Sequence, residues 1–250
     1  MKKFEKILGG VIITLVVLAI IGVIVASAFL GDIVKKGVET VGPQITKVSI
    51  KLDEVHLSLL TGSATVKGLV VGNPEGYQTP QAISAGIIAV GVNPRSVLSE
   101  KIVLRSLHVE SPEITFEGGL NGNNLSKIMD NVNAALRTGT QPSGTVSTNT
   151  TTQAKPSKKF EVDDLLITGA KVYVSLADLG GKETTLSLPT IHLTNLGTNK
   201  DGITATELTR SVLDAVVTAT VKAVARAGVD KSVETGANKI TKEIGHLLGK

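Results

Sequence analysis

The segments "LRSLHVESPEITFE" (residues 104–117) and "VDDLLITGAKVYVS" (residues 162–175) share one pattern and lie 58 residues apart. In each, a strand pattern meets a two-residue break, and a second strand pattern begins at once. The breaks are Ser111-Pro112 and Gly169-Ala170. Two copies are too few to indicate a solenoid. They do indicate one continuous sheet whose second half repeats the first.

An earlier segment, "TKVSIKLDEVHLSLL" (residues 46–60), alternates apolar and polar residues, as a half-buried strand does. Its phase changes at the acidic pair Asp53-Glu54, so we predict one long strand with a bulge at that pair. The candidate apolar face, and the candidate lipid site, consists of Ile50, Leu52, Val55, Leu57 and Leu59.

Between these segments, "GLVVGNPEGYQTP" (residues 68–80) predicts a loop between strands, since proline cannot donate to a sheet ladder. Strands of this length with frequent turns indicate an antiparallel all-β unit. Residues 121–137 change to a helical period. Residues 138–158 are nearly all polar and predict a disordered linker, after which residues 159–203 continue the sheet.

The N-terminus contains an uncharged apolar run, residues 7–30. As a helix this run is about 36 Å long, against a hydrocarbon core of about 30 Å, which predicts a transmembrane anchor. Three lysines within residues 1–6 keep that tail in the cytoplasm by the positive-inside rule. The competing interpretation is a signal peptide cleaved after Ala28, although the run exceeds the usual core of about 7–15 residues.

Helical patterns flank the predicted sheet at both ends. After the anchor, residues 31–42 predict a short helical neck that ends at Gly42-Pro43. Residues 204–250 predict amphipathic helices that begin at a Thr204–Glu207 capping box and are interrupted at Gly228 and Gly236. Packing against the protein's own sheet is the simpler interpretation of these helices, and contact with a membrane or partner is the alternative.

The composition narrows the classes of function. The chain has no cysteine and no tryptophan, only six other aromatic residues, and a net charge of +4. Disulfides are therefore excluded, and neither stacking platforms nor the mild charge indicates nucleic acid. None of the four histidines has metal-ligand spacing, and no catalytic motif is found. We predict a protein that is not an enzyme and has no cofactor, no metal site and no catalytic residue.

Three motifs carry a resemblance to a known family. They are the "G-L-x-V-x-N-P-x-G" turn at residues 68–76, the strand stretch at residues 97–117, and the "GxNL..I" helix start at residues 121–128. With the anchor, they resemble the AsmA family of bacterial envelope proteins over residues 37–130. The resemblance implies a single-pass inner-membrane protein with a periplasmic AsmA-like β domain, residues 31–137 with one short helix. It also implies a curved antiparallel sheet with an apolar concave face.

The same resemblance implies a role in lipid homeostasis or assembly of the outer membrane, with phospholipid or another lipid as ligand. About eight strands at roughly 4.8 Å each span only about 40 Å, too little to bridge an envelope alone. The alternative is a scaffolding module that binds another envelope protein by its sheet edge or C-terminal helix. An open apolar groove favours the first function, and a sealed core favours the second.

Overall fold

The computed structural model describes residues 2–119, 122–138, 158–175, 184–199 and 201–248. Side chains are described from residue 17 to residue 227 within these ranges, except at positions 18–20 and 28. The protein is mainly β, with an open mixed sheet and three helices over this part of the chain. The helices are α1 (Lys2–Thr46), α2 (Asn124–Arg137) and α3 (Ala205–Leu248).

Eleven strands are present in the described part of the chain, most of them in pairs separated by a short break. They are β1 (Ile50–Lys51), β2 (Glu54–Ser58), β3 (Ser63–Gly72), β4 (Gln81–Val92), β5 (Lys101–Glu110), β6 (Glu113–Gly119), β7 (Gly122–Asn123), β8 (Lys159–Thr168), β9 (Lys171–Ser175), β10 (Thr184–Ser187) and β11 (Ile191–Leu196). The long strands β3 and β4 each pair with two shorter ones on the same side. Apart from β7, the sheet is therefore six long strands, in the order β1–β2, β3, β4, β5–β6, β8–β9, β10–β11.

The expectation of a wholly antiparallel sheet was wrong. Strand β5 pairs in parallel with β8, and β6 pairs in parallel with β9, while the other neighbours are antiparallel. A parallel neighbour needs a crossover connection, and α2 lies on the connection between β6 and β8. The two repeated segments are these parallel neighbours. Lys101 pairs with Lys159 and Glu113 with Lys171, so the register offset equals the 58-residue spacing of the repeat.

Five of the six long strands are broken or take a positive φ at one level of the sheet, which we call the break row, and β4 runs through this level unbroken at Gly86. Register alignment places one residue of each strand there: Asp53, Gly68, Gly86, Ser111, Gly169 and Pro189. Three of them have positive φ, at 62° for Gly68, 48° for Ser111 and 64° for Gly169. The strands remain joined, since the Ser111 N–H donates to the Thr168 carbonyl at 2.7 Å.

The break row shifts the alternation of buried residues by one position. In the part of β8 next to the break the buried side chains are at odd positions, Leu165 and Ile167, whereas in β9 they are at even positions, Val172 and Val174. Both sets join a single core. An inserted residue shifts a strand's alternation by one, so each strand presents apolar residues to the same core on both sides of the break. The phase change at Asp53-Glu54 belongs to this sheet-wide feature.

Helices α2 and α3 cover part of the apolar side of the sheet, and α1 packs along β1 and β2. Helix α2 packs on β6 and against both other helices, and α3 packs on β8, β10 and β11. The residues under 2% exposed include Ile114, Phe116, Leu125, Ile128, Val132, Val162, Leu165 and Val172. The capping box at the start of α3 is confirmed, because the Glu207 N–H donates to Thr204 Oγ1 at 3.1 Å and the Thr204 N–H donates to Glu207 Oε2 at 2.7 Å.

Two predicted helix boundaries were wrong. Helix α1 does not end at Gly42-Pro43 but continues through Pro43 to Thr46, and α3 runs unbroken past Gly228 and Gly236. No helix long and apolar enough to cross a bilayer is found among the described residues. The predicted anchor, residues 7–30, lies mostly outside the described side chains. The predicted linker likewise lies outside the described residues, except at its two ends.

Candidate functional site

Two rows of apolar residues cross the sheet between the break row and the β2–β3 turn. The first row is Val55, Val66, Ile88, Val109, Ile167 and Ile191. The second row is Leu57, Ala64, Val90, Leu107, Leu165 and Leu193. Because each residue pairs with the next across neighbouring strands, each row forms a continuous apolar band on one side of the sheet.

These rows are sealed at one end and partly uncovered at the other. Leu165 is 0% exposed and Ile191 is 8% exposed, both on strands that α3 packs against. Val66, Ile88 and Val90 are only half-buried and do not belong to the core. We call the uncovered part the open section and define it as Val55, Leu57, Val66, Ile88 and Val90.

The five residues predicted to form an apolar face fall on both sides of the break row. Leu52 is 4% exposed, and Ile50 is half-buried beside Gly42 of α1. Val55 and Leu57 belong to the open section. Leu59 follows β2, is half-buried, and its N–H donates to Ser27 Oγ of α1 at 3.3 Å.

Helix α1 covers the edge of the sheet formed by β1 and β2. The Lys35 ammonium donates to the Asp53 carbonyl at 2.8 Å, and the Leu52 N–H donates to Glu39 Oε1 at 2.9 Å. An exposed edge strand presents unpaired main-chain groups that template association with other chains. Side chains of α1 bond several of these groups and thereby block strand addition at this edge.

The loop between β3 and β4 lies at the end of the sheet opposite the β2–β3 turn. A polar network holds this loop in place. The Glu117 carboxylate accepts hydrogen bonds from the main-chain N–H groups of Gln78 (2.6 Å) and Thr79 (2.9 Å). Asn73 Nδ2 donates to the same carboxylate at 3.2 Å, and Asn124 Nδ2 donates to Asn73 Oδ1 at 2.9 Å. Asn124 is 0% exposed, so this network is anchored in the core.

This network was not predicted, although its three side-chain members belong to motifs that the sequence analysis had identified. Asn73, Glu117 and Asn124 each come from one of the three motifs that carry the family resemblance. A polar residue at the end of a strand pattern is the only local signal for each of them. Their convergence depends on the pairing of β4 with β6, which no single segment encodes.

The environment of Glu117 favours its ionised form. Burial is the largest influence and raises the pKa, but the hydrogen bonds from Gln78, Thr79 and Asn73 together outweigh it and leave the pKa below its ordinary value of 4.5. Burial also raises the pKa of the neighbouring Tyr77 phenol, and the Glu117 charge adds to that increase. A charged Glu117 therefore acts as the fixed acceptor that closes the loop.

A second concave region lies between α3 and strands β10 and β11. Its volume is about 730 Å³, and alanines at four-residue spacing on α3 form one wall (Ala215, Ala219, Ala223 and Ala227). Asp214, Lys222 and Arg226 line its rim, and Leu186 and Ile191 line the sheet side. Ser187, Thr190 and Thr218 also line the groove, so its lining mixes polar and apolar groups.

The three described histidines occupy a single row on the polar side of the sheet. Register places His56, His108 and His192 in line, with other strands between them. Each lies near its own carboxylate, at 2.7 Å from His56 to Glu54, 3.9 Å from His108 to Glu110 and 2.6 Å from His192 to Asp164. Among the described side chains, no group of three or more His, Asp or Glu residues could hold a metal ion.

Comparison with family models and with curated proteins finds no relative. The open section, the covered edge and the polar network are therefore the observations on which a function must be argued.

Proposed function

We propose that this protein is a non-enzymatic, AsmA-like protein of the bacterial inner membrane that holds an acyl chain of a lipid on the open section. Residues 7–30 are its anchor, residues 1–6 lie in the cytoplasm, and the sheet lies in the periplasm. Its role is in lipid homeostasis or assembly of the envelope. The observation that carries the proposal is that Val66, Ile88 and Val90 are half-buried and lie outside the core, whereas the same rows on β5, β8 and β11 belong to the core or pack against it.

The chemistry of the open section suits an acyl chain. Its five residues are all aliphatic and lie on three adjacent strands, with the buried Ala64 between Leu57 and Val90. A contiguous exposed apolar surface indicates a binding site for a protein, a membrane or an apolar ligand. An acyl chain needs only an aliphatic wall, whereas a headgroup or sugar needs polar or aromatic partners, and the section contains none.

The size of the sheet limits how such a lipid is handled. Six long strands at about 4.8 Å each span about 29 Å, less than the estimate of about 40 Å from eight strands. The number of long strands is smaller because the break row divides single strands into two. This width fits a protein that receives or presents a lipid at one membrane, not one that bridges two membranes by itself.

The scaffolding alternative is favoured by the other sheet edge. The β10–β11 edge makes no hydrogen bond to α3 among the described residues, in contrast to the edge covered by α1. The apolar side of the sheet is also fully sealed over β6, β8 and β9. A partner strand that added to β10–β11 would explain both facts without any lipid.

Two matched substitutions test the lipid proposal. Ile88→Asp places a carboxylate in the open section, where it can reach water, and Leu165→Asp places one at a fully buried position of the neighbouring row. We expect the Ile88→Asp protein to accumulate and unfold cooperatively but to lose co-purified lipid in native mass spectrometry. The Leu165→Asp protein should fail to fold, because an unpaired buried carboxylate is strongly destabilising.

The behaviour of these two variants distinguishes lipid binding from the scaffolding function. If the wild-type protein carries no lipid, or if Ile88→Asp leaves its lipid unchanged, the lipid proposal is wrong. If Ile88→Asp is as damaging to folding as Leu165→Asp, the open section is core rather than a binding surface. In either case the scaffolding function at the β10–β11 edge remains.

A further inference from the structure

Helix α1 and strand β2 run side by side in opposite directions. Glu39 of α1 bonds Leu52, Lys35 bonds Asp53, and Ser27 bonds Leu59. Moving toward the N-terminus of the helix therefore means moving toward the β2–β3 turn. Residues before Ser27 continue the helix beyond that end of the sheet, toward Lys2.

That end of the sheet is built from two connections that pack together, which we call the sheet tip (residues 59–62 and 93–100). The Val92 N–H donates to the Gly62 carbonyl at 2.8 Å, and a Cβ at Gly62 would lie 3.1 Å from the Pro94 ring. Two large apolar side chains project from the tip: Leu60 is 60% exposed and Leu98 is 85% exposed. Each connection thus presents one leucine to the surroundings.

We propose that the sheet tip inserts Leu60 and Leu98 into the headgroup boundary of the same bilayer that holds α1. This inference rests on the proposed anchor and goes beyond it by assigning a membrane-contacting surface to the β domain. The ligand is the lipid surface itself.

The position of the tip along α1 carries the argument. A span of about 20 residues fills the hydrocarbon core, so within residues 7–30 it ends between residues 26 and 30. The tip lies at the level of Ser27. At about 1.5 Å per residue, every such placement brings the tip within about one helical turn of the hydrocarbon boundary. Phe29 of α1, two residues after Ser27 and 66% exposed, adds an apolar side chain near this level.

The charges around the tip fit an anionic lipid surface. Arg95 is exposed and has no ion pair among the described residues. The Lys158 ammonium donates to the carbonyls of Ser99 and Val97, so a second cation is fixed on the tip. Glu100 is the one exposed acid within residues 93–100. Basic residues beside inserted apolar side chains are typical of surfaces that bind anionic membranes.

The tip also adjoins the open section. The row that contains Leu57 and Val90 lies nearest the tip, and the row that contains Val55 and Ile88 lies between it and the break row. A tip inserted in the headgroup boundary would place the open end of both rows at the membrane. An acyl chain could then move from the leaflet onto the sheet without crossing water.

Single tryptophans test the proposal directly, because the chain has none. We would place one at Leu60 or Leu98 in the full chain, reconstituted in vesicles of phosphatidylethanolamine and phosphatidylglycerol that carry bromine at a shallow or a deep acyl position. Val17→Trp, within the proposed anchor, reports on the span. Glu75→Trp, an exposed position in the loop at the opposite end of the sheet, is the control.

The expected result is a large loss of Leu60→Trp and Leu98→Trp fluorescence with shallow bromine, loss of Val17→Trp fluorescence with deep bromine, and no loss for Glu75→Trp. If only Val17→Trp is quenched, the anchor stands and the tip proposal is overturned. If Val17→Trp is not quenched, the anchor itself is wrong. Quenching of Glu75→Trp to the same extent as the tip positions would mean that the bilayer contact is not confined to the sheet tip, which also overturns the proposal.

Discussion

Gly31 of α1 lies so close to the main-chain carbonyl of Val55 that a methyl group at residue 31 would overlap the oxygen. The helix reaches the sheet edge because it has no side chain at this point. Ser27 and Lys35, one turn to either side, make the hydrogen bonds to the edge. The spacing between α1 and β2 is thus set by the absence of a side chain at Gly31 and by the hydrogen bonds of Ser27 and Lys35.

Gly31→Ala should therefore weaken the docking of α1, and Gly37→Ala is the matched control. A Cβ at Gly37 meets no atom within 4 Å, so alanine there should be neutral or should stabilise the helix by up to about 1 kcal/mol. We expect Gly31→Ala to lower the free energy of unfolding by about 1–3 kcal/mol, as overpacking does. Denaturant unfolding of the two variants in one detergent checks this, and equal stability would disprove the proximity of helix and edge.

The Glu117 network should make stability depend on pH. Its pKa is lower in the folded protein than its ordinary value of 4.5, so its contribution is present above that pH and is lost as the pH falls through the folded pKa. Glu117→Gln should cost about 1–3 kcal/mol at neutral pH, since the amide presents N–H groups to the donors of Gln78 and Thr79. The stability gap between wild type and variant should narrow below pH 4.5.

Chemical denaturation across a pH series measures this gap. Glu75→Gln is the control, because Glu75 is an exposed residue of the same loop. Its stability should follow the wild-type curve throughout. A Glu117→Gln protein that is as stable as wild type at neutral pH would show that the carboxylate does not close the loop.

Helix α3 contains a position, Thr220, at which a substitution should stabilise the protein. Thr220 is 0% exposed, and its hydroxyl has no hydrogen-bond partner among the described residues. Thr220→Val keeps the shape and removes the unpaired polar group, so the free energy of unfolding should rise by about 1 kcal/mol. Thr218→Val, at an exposed position on the same helix, should change it little. A loss of stability in Thr220→Val would mean that the hydroxyl is bonded in solution.

The break row contains strain at one of its six positions. Ser111 adopts a φ of 48°, a conformation that costs a residue with a side chain about 1–2 kcal/mol. Ser111→Gly should recover part of that cost, and Gly169→Ala, at a φ of 64° in the adjacent copy, should be destabilising. Thermal unfolding of the two variants should move in opposite directions. If both variants shifted the melting temperature in the same direction, the left-handed backbone conformations of Ser111 and Gly169 would be contradicted.

The strand pattern was largely readable from the sequence because alternation and turn residues are local. The change of phase at Asp53-Glu54, the breaks at residues 111–112 and 169–170, and the Thr204–Glu207 cap were all visible in short windows. The similarity of the two copies was visible as well. Their parallel arrangement was not, because a repeat gives no information about the direction of its second copy.

The features that position the candidate site depend on contacts between distant segments. Which apolar rows α3 covers cannot be read from β2, β3 or β4, so the sequence left open whether the face was groove or core. Asn73, Glu117 and Asn124 meet only because β4 pairs with β6. The continuation of α1 through Pro43 was missed because proline usually ends a helix.

The equality between the repeat spacing and the parallel register suggests how such a chain could lengthen. Each copy supplies one long strand with its own left-handed break residue, Ser111 or Gly169, and the two breaks align without further adjustment. A duplicated segment inserted in the same register would find its break residue already level with its neighbour's. Tandem duplication could therefore widen the sheet by about 4.8 Å per added strand without disturbing the tip or the core layer. Wider sheets of the same kind could then arise by copying of this segment within the gene.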